Sequence, residues 1–330
     1  MASYLMELQL GLAEALTANE KVVVLGEDLV DPYGGAFKVT KGLSTRFPGR
    51  VISTPICEGG FTGVAVGMAL RGFRPVVEIM FGDFLTLCAD QIVNHMTKFP
   101  GMFNGQVKVP LVIRTPMGGG RGYGATHSQS LEKMFLGLPG IKVVAPSHVH
   151  AAGDILQYAI LADDDPVLFI ENKLLYPLDR YAHVLMEQSA EIPGYPTVAL
   201  RNFGSGQPDV IVISYGGLSR ELVPLLEKLR SDELNVTAVF PSSLWPVPIK
   251  TLVRYGAQCG RLVICEEGTT GFNWGSEVAV LLYDALRGNL LAPITRLAAA
   301  SQVIPAARQL EMEVLVTAGK IENAIWELMS

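Results

Sequence analysis

The chain alternates between short, largely hydrophobic segments and longer segments in which hydrophobic residues recur every three or four positions. The first pattern is typical of buried strands and the second of amphipathic helices. Strand-like segments occupy 22–25, 75–80, 110–114, 141–146, 167–171, 209–217, 236–240 and 261–267. Helical spacing is found near 148–162 and 219–230, and again from about 320 to the end. Hydrophobic strands separated by helices predict a doubly wound α/β fold, a parallel sheet covered by helices on both faces.

The alternation lapses between about Leu178 and Pro208, where proline and glycine are frequent and the hydrophobic residues show little periodicity. We therefore predict a first α/β domain over 1–180, a linker over 181–207 and a second, smaller α/β domain over 208–330. A chain of 330 residues is long enough for two domains of ordinary size.

Composition and charge narrow the classes of function. Hydrophobic residues make up 49% of the chain and charged residues 18%, which predicts burial in subunit contacts as well as in the core. No hydrophobic run approaches the ~20 residues of a membrane span. The net charge of −6, without a basic cluster, argues against nucleic acid. The four cysteines form no C-x-x-C pair, and residues 1–16 resemble an amphipathic helix rather than a signal peptide, so we expect a cytoplasmic protein with free thiols.

One acidic residue, Glu58, follows a short predicted strand and begins a helix with a glycine at every fourth position, namely Gly59, Gly63 and Gly67. On a helix these glycines share one face and let another helix approach closely. Glycine disfavours a helix by roughly 0.5–1 kcal/mol, so the pattern indicates a specific need. Two interpretations stay open at this point. Glu58 is either a capping residue of a tightly packed core helix or a cofactor-activating carboxylate beside a subunit interface.

Other polar residues also follow predicted strands, and they are Glu27, Asp28, the glycine-rich loop 118–124 and the segment 126–129. Ligands of open α/β sheets bind outside the carboxyl ends of the strands, so we expect these residues to line one crevice. His127 is suited to proton transfer or to stabilising an oxyanion, although a loop histidine is more often structural. His148 and His150 are more typical of a solvated helix cap than of a metal site. Motifs of dinucleotide-binding loops, P-loops and hydrolase nucleophiles are absent from the sequence.

Seven motifs, taken together and in order, resemble a known family. They are GED at 26–28, GGAFKVTKGL at 34–43, TPICEGGF at 54–61, DQIVN at 90–94, HSQSLE at 127–132, PGIKVVAP at 139–146 and DPV at 165–167. This set closely resembles the beta subunits of thiamine-diphosphate-dependent 2-oxo acid dehydrogenases of the pyruvate, branched-chain and acetoin types. The resemblance is strongest over 21–176 and continues more weakly to the end of the chain.

The resemblance implies a pyrimidine-binding domain followed by a transketolase C-terminal-like domain. It also implies an oxidoreductase that decarboxylates a 2-oxo acid and passes the acyl group to a lipoyl carrier. The alpha subunit of an α2β2 heterotetramer would hold the cofactor's diphosphate and Mg²⁺, and this chain lacks the G-D-G and N-N pattern of such a subunit. Beta subunits of the family often bind a dihydrolipoyl acyltransferase core. Two alternatives stay open: split-transketolase-like ketol or acyl transfer without a lipoyl partner, and a non-catalytic subunit that stabilises an alpha chain.

The resemblance also assigns roles to individual residues. Glu58 matches the glutamate that activates the cofactor through its aminopyrimidine ring, and His127 matches a histidine near the substrate carboxylate that assists acylation of the lipoyl group. Phe81 and Phe84 match a region that packs on the pyrimidine, and Glu27 is assigned to the same cofactor site. A structural potassium ion would be held by the carbonyl groups of Leu111, Ile160, Leu161, Asp163 and Asp165.

Two departures from the family pattern concern the substrate. Gly101 stands where many relatives have a tyrosine that approaches the cofactor, and Pro100 stands where arginine is frequent. The glycine-rich loop brings Arg121 and Tyr123 close to His127 in the sequence. Arg121 is suited to pairing with an anionic group of a larger substrate, because a guanidinium binds carboxylate or phosphate with two parallel hydrogen bonds. The alternative is an exposed loop arginine without a ligand.

Overall fold

The computed structural model describes residues 2–330, and their secondary structure follows the predicted alternation of strands and helices. The helices are α1 (Tyr4–Ala18), α2 (Leu43–Arg46), α3 (Glu58–Leu70), α4 (Phe99–Met102), α5 (Ala152–Leu161), α6 (Ser219–Ser231), α7 (Ile249–Gly256), α8 (Trp274–Leu286), α9 (Arg308–Val314) and α10 (Ala318–Met329). The strands are β1 (Val22–Gly26), β2 (Val51–Ser53), β3 (Arg74–Glu78), β4 (Val112–Met117), β5 (Lys142–Val144), β6 (Val167–Asn172), β7 (Met186–Ile192), β8 (Tyr195–Arg201), β9 (Val210–Ile213), β10 (Val236–Pro241), β11 (Ser243–Trp245), β12 (Leu262–Thr269) and β13 (Thr295–Ala299). Short 3₁₀ segments (Gly82–Cys88, Glu132–Met134 and Gly216–Leu218) and a π-helix (Gln91–Met96) complete the chain.

The first sheet has seven strands in the order β11-β5-β6-β4-β3-β1-β2, and all of them are parallel except β11 at the edge. Strands β1, β4 and β6 are buried along their whole length, and they are hydrophobic except toward the carboxyl ends of β4 and β6, which carry polar residues such as Arg114 and Glu171. Helices α1 and α5 pack closely against each other through Gly11 and Gly153, where a Cβ on either glycine would collide with the backbone of the other helix. The predicted doubly wound arrangement is confirmed for this sheet.

The second sheet has six strands in the order β13-β12-β9-β10-β8-β7. Its four strands β13, β12, β9 and β10 are parallel, whereas β8 runs antiparallel to β10, and β7 runs antiparallel to β8 as the other strand of a hairpin. The buried side chains of α6 and α10 pack with this sheet in one hydrophobic cluster that includes Leu222, Leu226, Ile321 and Ile325. The mixed sheet matches the predicted second α/β domain.

The segment predicted as a linker, 181–207, holds the hairpin β7–β8, so it is part of the second sheet. The sequence misled because β7 is an edge strand with no fully buried residue, and its polar side chains resemble those of a loop. Pro193 and Gly194, which lie inside the predicted linker, form the turn of this hairpin, where Ile192 pairs with Tyr195. The boundary of the first domain near residue 180 stays a prediction.

The two sheets are connected by more than the chain between them. Strand β11, which follows β10 of the second sheet, crosses over to pair antiparallel with β5 at the edge of the first sheet. A backbone hydrogen bond of 2.7 Å from Ala145 to the carbonyl of Ser242 extends this contact. One hydrophobic cluster contains buried residues of both sheets, such as Ile113 and Ile213. Within residues 2–330, no helix is both long enough and hydrophobic enough to span a membrane.

Candidate active site

Two carboxyl groups meet at the carboxyl end of the first sheet. Glu27 follows β1 directly, and Glu58 is the first residue of α3, just after β2, which pairs with β1. Both side chains are nearly buried, with Glu27 8% and Glu58 6% exposed. Burial and the charge of Glu58, with a smaller effect of Asp28, raise the pKa of Glu27 above its ordinary value. The Oε1 atom of Glu27 is buried without a hydrogen-bond partner among residues 2–330.

The environment of Glu58 does not support the capping interpretation. The N-cap residue of α3 is Cys57, and its side chain makes no capping hydrogen bond. Glu58 lies in the first helical turn, where the partial positive charge of the helix end favours a carboxylate. A second acidic side chain nevertheless crowds it, which a residue serving only as a helix cap does not require. The Glu27–Glu58 pair therefore has the features of a ligand site, with an unsatisfied acceptor and two adjacent acids.

The glycine face of α3, which carries Gly59, Gly63 and Gly67, is closely covered by other residues of the chain only at its Gly59 end. A methyl group on Gly59 would lie 3.0 Å from the carbonyl oxygen of Leu87, so the 3₁₀ segment packs closely there. Gly63 would contact only the side chain of Gln91, and Gly67 would meet no atom within 4 Å. The nearby side chains of Ile56, Val64 and Leu87 are exposed hydrophobic groups. This face is open in the single chain.

An aromatic wall surrounds His127. The imidazole lies edge-on to Phe81 and Phe84, with ring centroids 4.7 and 5.4 Å away. Phe81 also contacts the rings of Phe37 at 5.5 Å and Tyr123 at 6.1 Å. The imidazole Nδ1 lies 3.1 Å from the hydroxyl of Thr126. The structure thus brings the predicted residues Phe81, Phe84 and His127 together, and it places Glu27 with Glu58 at the same edge of the sheet.

Lys173, one residue after β6, is part of this wall although the sequence analysis missed it. It is 1% exposed, its ammonium group donates a hydrogen bond to the carbonyl of His127 (2.5 Å), and its Nζ lies 5.3 Å from the centre of the Phe81 ring. Burial lowers the pKa of Lys173 to about 8, while the charges of Asp83 and Glu267 act in the opposite direction. A lysine directly after a buried strand is the signal that would have pointed to it.

The glycine-rich loop 118–124 is held by a carboxylate from the far end of the chain. Glu311 of α9 is fully buried, and its two carboxylate oxygens accept hydrogen bonds from the amides of Gly120 (2.8 Å) and Gly122 (3.0 Å). Arg121, between these glycines, lies over the rings of Tyr123 and Phe37, at 5.4 and 5.8 Å from their centres. The residues from β7 to residue 330, called the second unit below, therefore fix the backbone of a loop beside His127, which lies in the first unit, the residues before β7.

A fully buried ion cluster supports the strand ends beneath the site. The guanidinium of Arg114 in β4 donates to both carboxylate oxygens of Glu171 in β6, at 2.7 and 2.6 Å, and also to Glu78 in β3. The hydroxyl of Tyr176 donates to Glu171 at 2.6 Å. The three neighbouring strands β3, β4 and β6 are tied together where they carry the site residues.

The residues predicted to bind potassium lie close together, but they do not fit the ion as placed. The guanidinium of Arg74 donates hydrogen bonds to the carbonyl groups of Ile160 and Asp163. The carbonyl of Leu111 accepts from the amide of Val167 at 3.0 Å. The side chains of Asp163 and Asp165 both pair with Lys142. Fixed cations already occupy this place, which opposes binding of another cation.

The two histidines after β5 are neither a metal site nor a solvated cap. Both are buried, and burial lowers the pKa of each to about 4, so both are neutral near pH 7. Nδ1 of His148 lies 2.6 Å from the hydroxyl of Ser219, and Nε2 of His150 lies 3.1 Å from the carbonyl of Phe240. They connect the first unit to the second. No cluster of acidic, histidine or cysteine side chains within residues 2–330 has the arrangement of a metal site.

The position of the missing family tyrosine is open space. A side chain on Gly101 in α4 would meet no atom within 4 Å, and the next residue, Met102, is exposed. The chain has therefore not filled this position with another residue of its own.

Comparisons with known proteins agree with this geometry. The model of the transketolase pyrimidine-binding domain matches residues 2–179, and that of the transketolase C-terminal domain matches 202–321. A solved structure, an inactive beta4 tetramer of a split-gene transketolase, has the same fold. It superposes with a TM-score of 0.74 over 98% of this chain and 97% of that chain, at 21% identity. The fold and the site define a transketolase-like protein with a pyrimidine-binding and a C-terminal domain.

Relatives with higher sequence identity narrow the class. The beta subunit of the pyruvate dehydrogenase E1 component of Leifsonia xyli subsp. xyli is 37% identical, over 91% of this chain and 87% of that protein. The beta subunit of 2-oxoisovalerate dehydrogenase from Bacillus subtilis is 32% identical, over 99% and 98%. The beta subunit of acetoin:2,6-dichlorophenolindophenol oxidoreductase from Cupriavidus necator is 32% identical, over 96% and 94%. The chain belongs to the family of beta subunits of thiamine-diphosphate-dependent 2-oxo acid dehydrogenases, as its motifs predict.

Proposed function

We propose that this chain is the beta subunit of an enzyme that decarboxylates a 2-oxo acid and transfers the acyl group to a lipoyl carrier. The single observation that supports it best is the buried Glu27–Glu58 pair, with an orphaned acceptor on Glu27, at the carboxyl end of a parallel sheet. This is where open α/β sheets bind ligands. A buried polar atom without a partner is costly in a folded protein, and a ligand that donates a hydrogen bond to it would remove that cost.

The residues fit the aminopyrimidine ring of thiamine diphosphate. Glu58 would hydrogen-bond a ring nitrogen, and Glu27 would keep its carboxyl group close to it. Since burial and the charge of Glu58 raise the pKa of Glu27, Glu27 retains its proton to a higher pH than exposed carboxyl groups do. Phe81 and Phe84 would provide an apolar surface for the ring. When bound, the cofactor supplies the electron sink for decarboxylation.

His127 would act on the substrate side of the site. Its ring is fixed by Phe81, Phe84 and Thr126, and its backbone carbonyl is fixed by Lys173. A neutral or protonated imidazole in this position can orient the substrate carboxylate and exchange a proton with the reacting oxygen. The aromatic wall excludes water from one side of it.

The chain would act in an α2β2 heterotetramer, and the open glycine face of α3 is suited to contact with an alpha subunit. Bare glycines allow a helix to approach closely, and the exposed Ile56, Val64 and Leu87 would be buried by it. The alpha subunit would hold the diphosphate and Mg²⁺. Docking of an acyltransferase core and a cytoplasmic location stay predictions.

The test is reconstitution of the complex with its alpha subunit, followed by calorimetric titration with thiamine diphosphate and Mg²⁺. We expect saturable binding by the complex and none by the beta chain alone. A lipoyl-domain acylation assay with a panel of 2-oxo acids then measures the reaction. Acyl or ketol transfer without acylation of the lipoyl domain would favour the split-transketolase alternative. Failure of a folded complex to bind the cofactor would favour the non-catalytic subunit.

A further inference from the structure

The backbone on both sides of Arg121 is immobilised from another part of the fold. Gly120 and Gly122 have φ angles of +88° and +71°, which glycine adopts readily and other residues rarely do. Their amides donate to the two oxygens of the buried Glu311, one to each. A loop that contains so many glycines would otherwise be mobile. The side chain between the two fixed amides is therefore presented in a defined place.

The guanidinium of Arg121 has no acidic partner among residues 2–330. It lies over the rings of Phe37 and Tyr123, and such contacts orient a guanidinium without using its N–H groups. The buried Arg114 is different, because it is bound by Glu78 and Glu171. Arg121 thus keeps five donors available for a planar anionic group.

None of the acids that act on this wall forms an ion pair with Arg121, although Oδ2 of Asp83 has no hydrogen-bond partner among residues 2–330. Asp83 accepts from the side-chain amide of Gln129 at 2.8 Å, and Glu267 accepts from Asn172 at 2.7 Å. Asp83, Glu267 and Glu311 act electrostatically on Lys173, the second cation of the wall, whose pKa the charge of Arg121 lowers further. Arg121 is thus without an acidic partner in the part of the chain that the structure describes and is free to pair with a ligand.

The position of Arg121 relative to His127 indicates which part of a ligand it meets. From the imidazole, the wall continues through Phe81 (4.7 Å) to Tyr123 (6.1 Å), and the guanidinium lies 5.4 Å from the centre of Tyr123. The guanidinium and the imidazole are thus connected by one continuous row of aromatic rings. The rings between them offer an apolar surface on which methylene groups would pack.

We propose that the substrate is a 2-oxo dicarboxylic acid and that Arg121 binds its distal carboxylate. This inference rests on the proposed function and specifies its substrate class. Glu311 acts as a positioning residue, because it holds the loop that carries Arg121.

The experiment uses the reconstituted complex with cofactor and compares 2-oxo dicarboxylic acids with 2-oxo monocarboxylic acids of the same chain length. We expect the dicarboxylic acids to be preferred. Arg121→Ala should lower kcat/KM for them by about 10- to 100-fold, mainly through KM, since a charge-assisted hydrogen-bonded pair is lost. The monocarboxylic acids should change less than about twofold. Arg121→Lys should restore part of the loss, because it keeps the charge without the planar fork.

The matched control is Arg230→Ala, since Arg230 is also an exposed arginine over an aromatic ring, that of Phe203, and lies in the second unit. It should leave both substrate classes unchanged. A measurement without turnover accompanies it: the dicarboxylic acid should raise the melting temperature of the cofactor-free complex, and less so with Arg121→Ala.

Three results would overturn the proposal while the proposed function stands. They are preference of the wild type for monocarboxylic acids, equal losses for both classes in Arg121→Ala, and loss of alpha-subunit binding by this variant, which would make Arg121 an interface residue. If the cofactor-loaded complex consumes no 2-oxo acid at all but accepts a ketose phosphate, the proposed function itself fails.

Discussion

Two groups of adjacent buried acids, one at the end of the first sheet and one between the two sheets, differ in what satisfies them. In the first group, Glu27 and Glu58 crowd together at the end of the first sheet, and Glu27 keeps an oxygen without a partner. In the second, Glu132 of the first unit meets Glu266 and Glu267 of the second. Burial is the main cause that raises the pKa of all three, to about 8 for Glu266 and about 7 for Glu267.

The second group is satisfied by the protein itself. The hydroxyl of Tyr215 donates to Glu132 at 2.5 Å, the amide of Gly275 donates to Glu266 at 2.9 Å, and Asn172 donates to both oxygens of Glu267. Equal burial of acids therefore does not define a site. The distinction lies in the hydrogen bonds, because a satisfied cluster connects two parts of the fold whereas an unsatisfied one is prepared for a ligand.

The largest expected effect concerns the unsatisfied group. Glu58→Gln should lower the rate of lipoyl acylation by about 10²- to 10⁴-fold, because an amide cannot exchange a proton with the cofactor. The melting temperature should stay within a few degrees of wild type. Glu20→Gln, on the surface, serves as the control and should have full activity. Retention of activity by Glu58→Gln would place Glu58 among structural residues and favour the non-catalytic alternative.

A substitution in the satisfied group, Glu132, Glu266 and Glu267 with their donors, should instead lower the stability of the fold. Tyr215→Phe removes the donor of Glu132 and leaves a buried carboxyl group without its partner, so we expect a loss of about 1–3 kcal/mol in the free energy of unfolding. Denaturant unfolding monitored by circular dichroism measures it. Tyr33→Phe, at an exposed position, is the control and should change stability little. A stability equal to wild type would show that water replaces the hydroxyl.

Stability should also fall as the pH rises through 7 to 8. The pKa values of Glu266 and Glu267 in the folded state lie above the 4.5 of an ordinary glutamate, so the folded protein binds more protons than the unfolded one between these values. The stabilisation is complete below about pH 4.5 and is lost as the pH passes the folded-state values, with a slope of up to about 1.4 kcal/mol per pH unit for each proton. Glu266→Gln should flatten the dependence of the melting temperature on pH. An unchanged curve in this variant would remove Glu266 as its cause.

The smallest effect is expected at the partner of Glu58. Glu27→Gln removes one of two adjacent acids whose mutual repulsion costs stability, so it should be neutral or stabilise by up to about 1 kcal/mol. Binding of thiamine diphosphate to the complex, measured by calorimetry, should weaken at the same time. A clear loss of stability in Glu27→Gln would mean that Glu27 has a structural partner and that the two carboxyl groups are alike after all.

Much of the site could be read from the sequence because its elements are local. Glu27 directly follows a strand, Glu58 begins a helix shortly after one, and His127 lies in a motif of six consecutive residues, so that hydrophobic periodicity and the family's motifs located them without the fold. The buried strands of both sheets could also be predicted from the sequence, since a strand covered on both faces is mostly hydrophobic. An edge strand has no such signature, and the hairpin β7–β8 was therefore read as a linker.

What the sequence alone determined is the order of strands and helices, the family, and the acids, rings and histidine at the strand ends. Only the tertiary structure decided which of these groups lack a partner, because hydrogen bonds between distant segments have no local pattern. Glu311 reaches Gly120 across 191 positions. Ser219 and Phe240 bury His148 and His150 from the other unit. Arg74 donates to two of the carbonyl groups expected to bind potassium, those of Ile160 and Asp163. Periodicity reports whether a side chain is buried, and only the folded chain shows what it meets there.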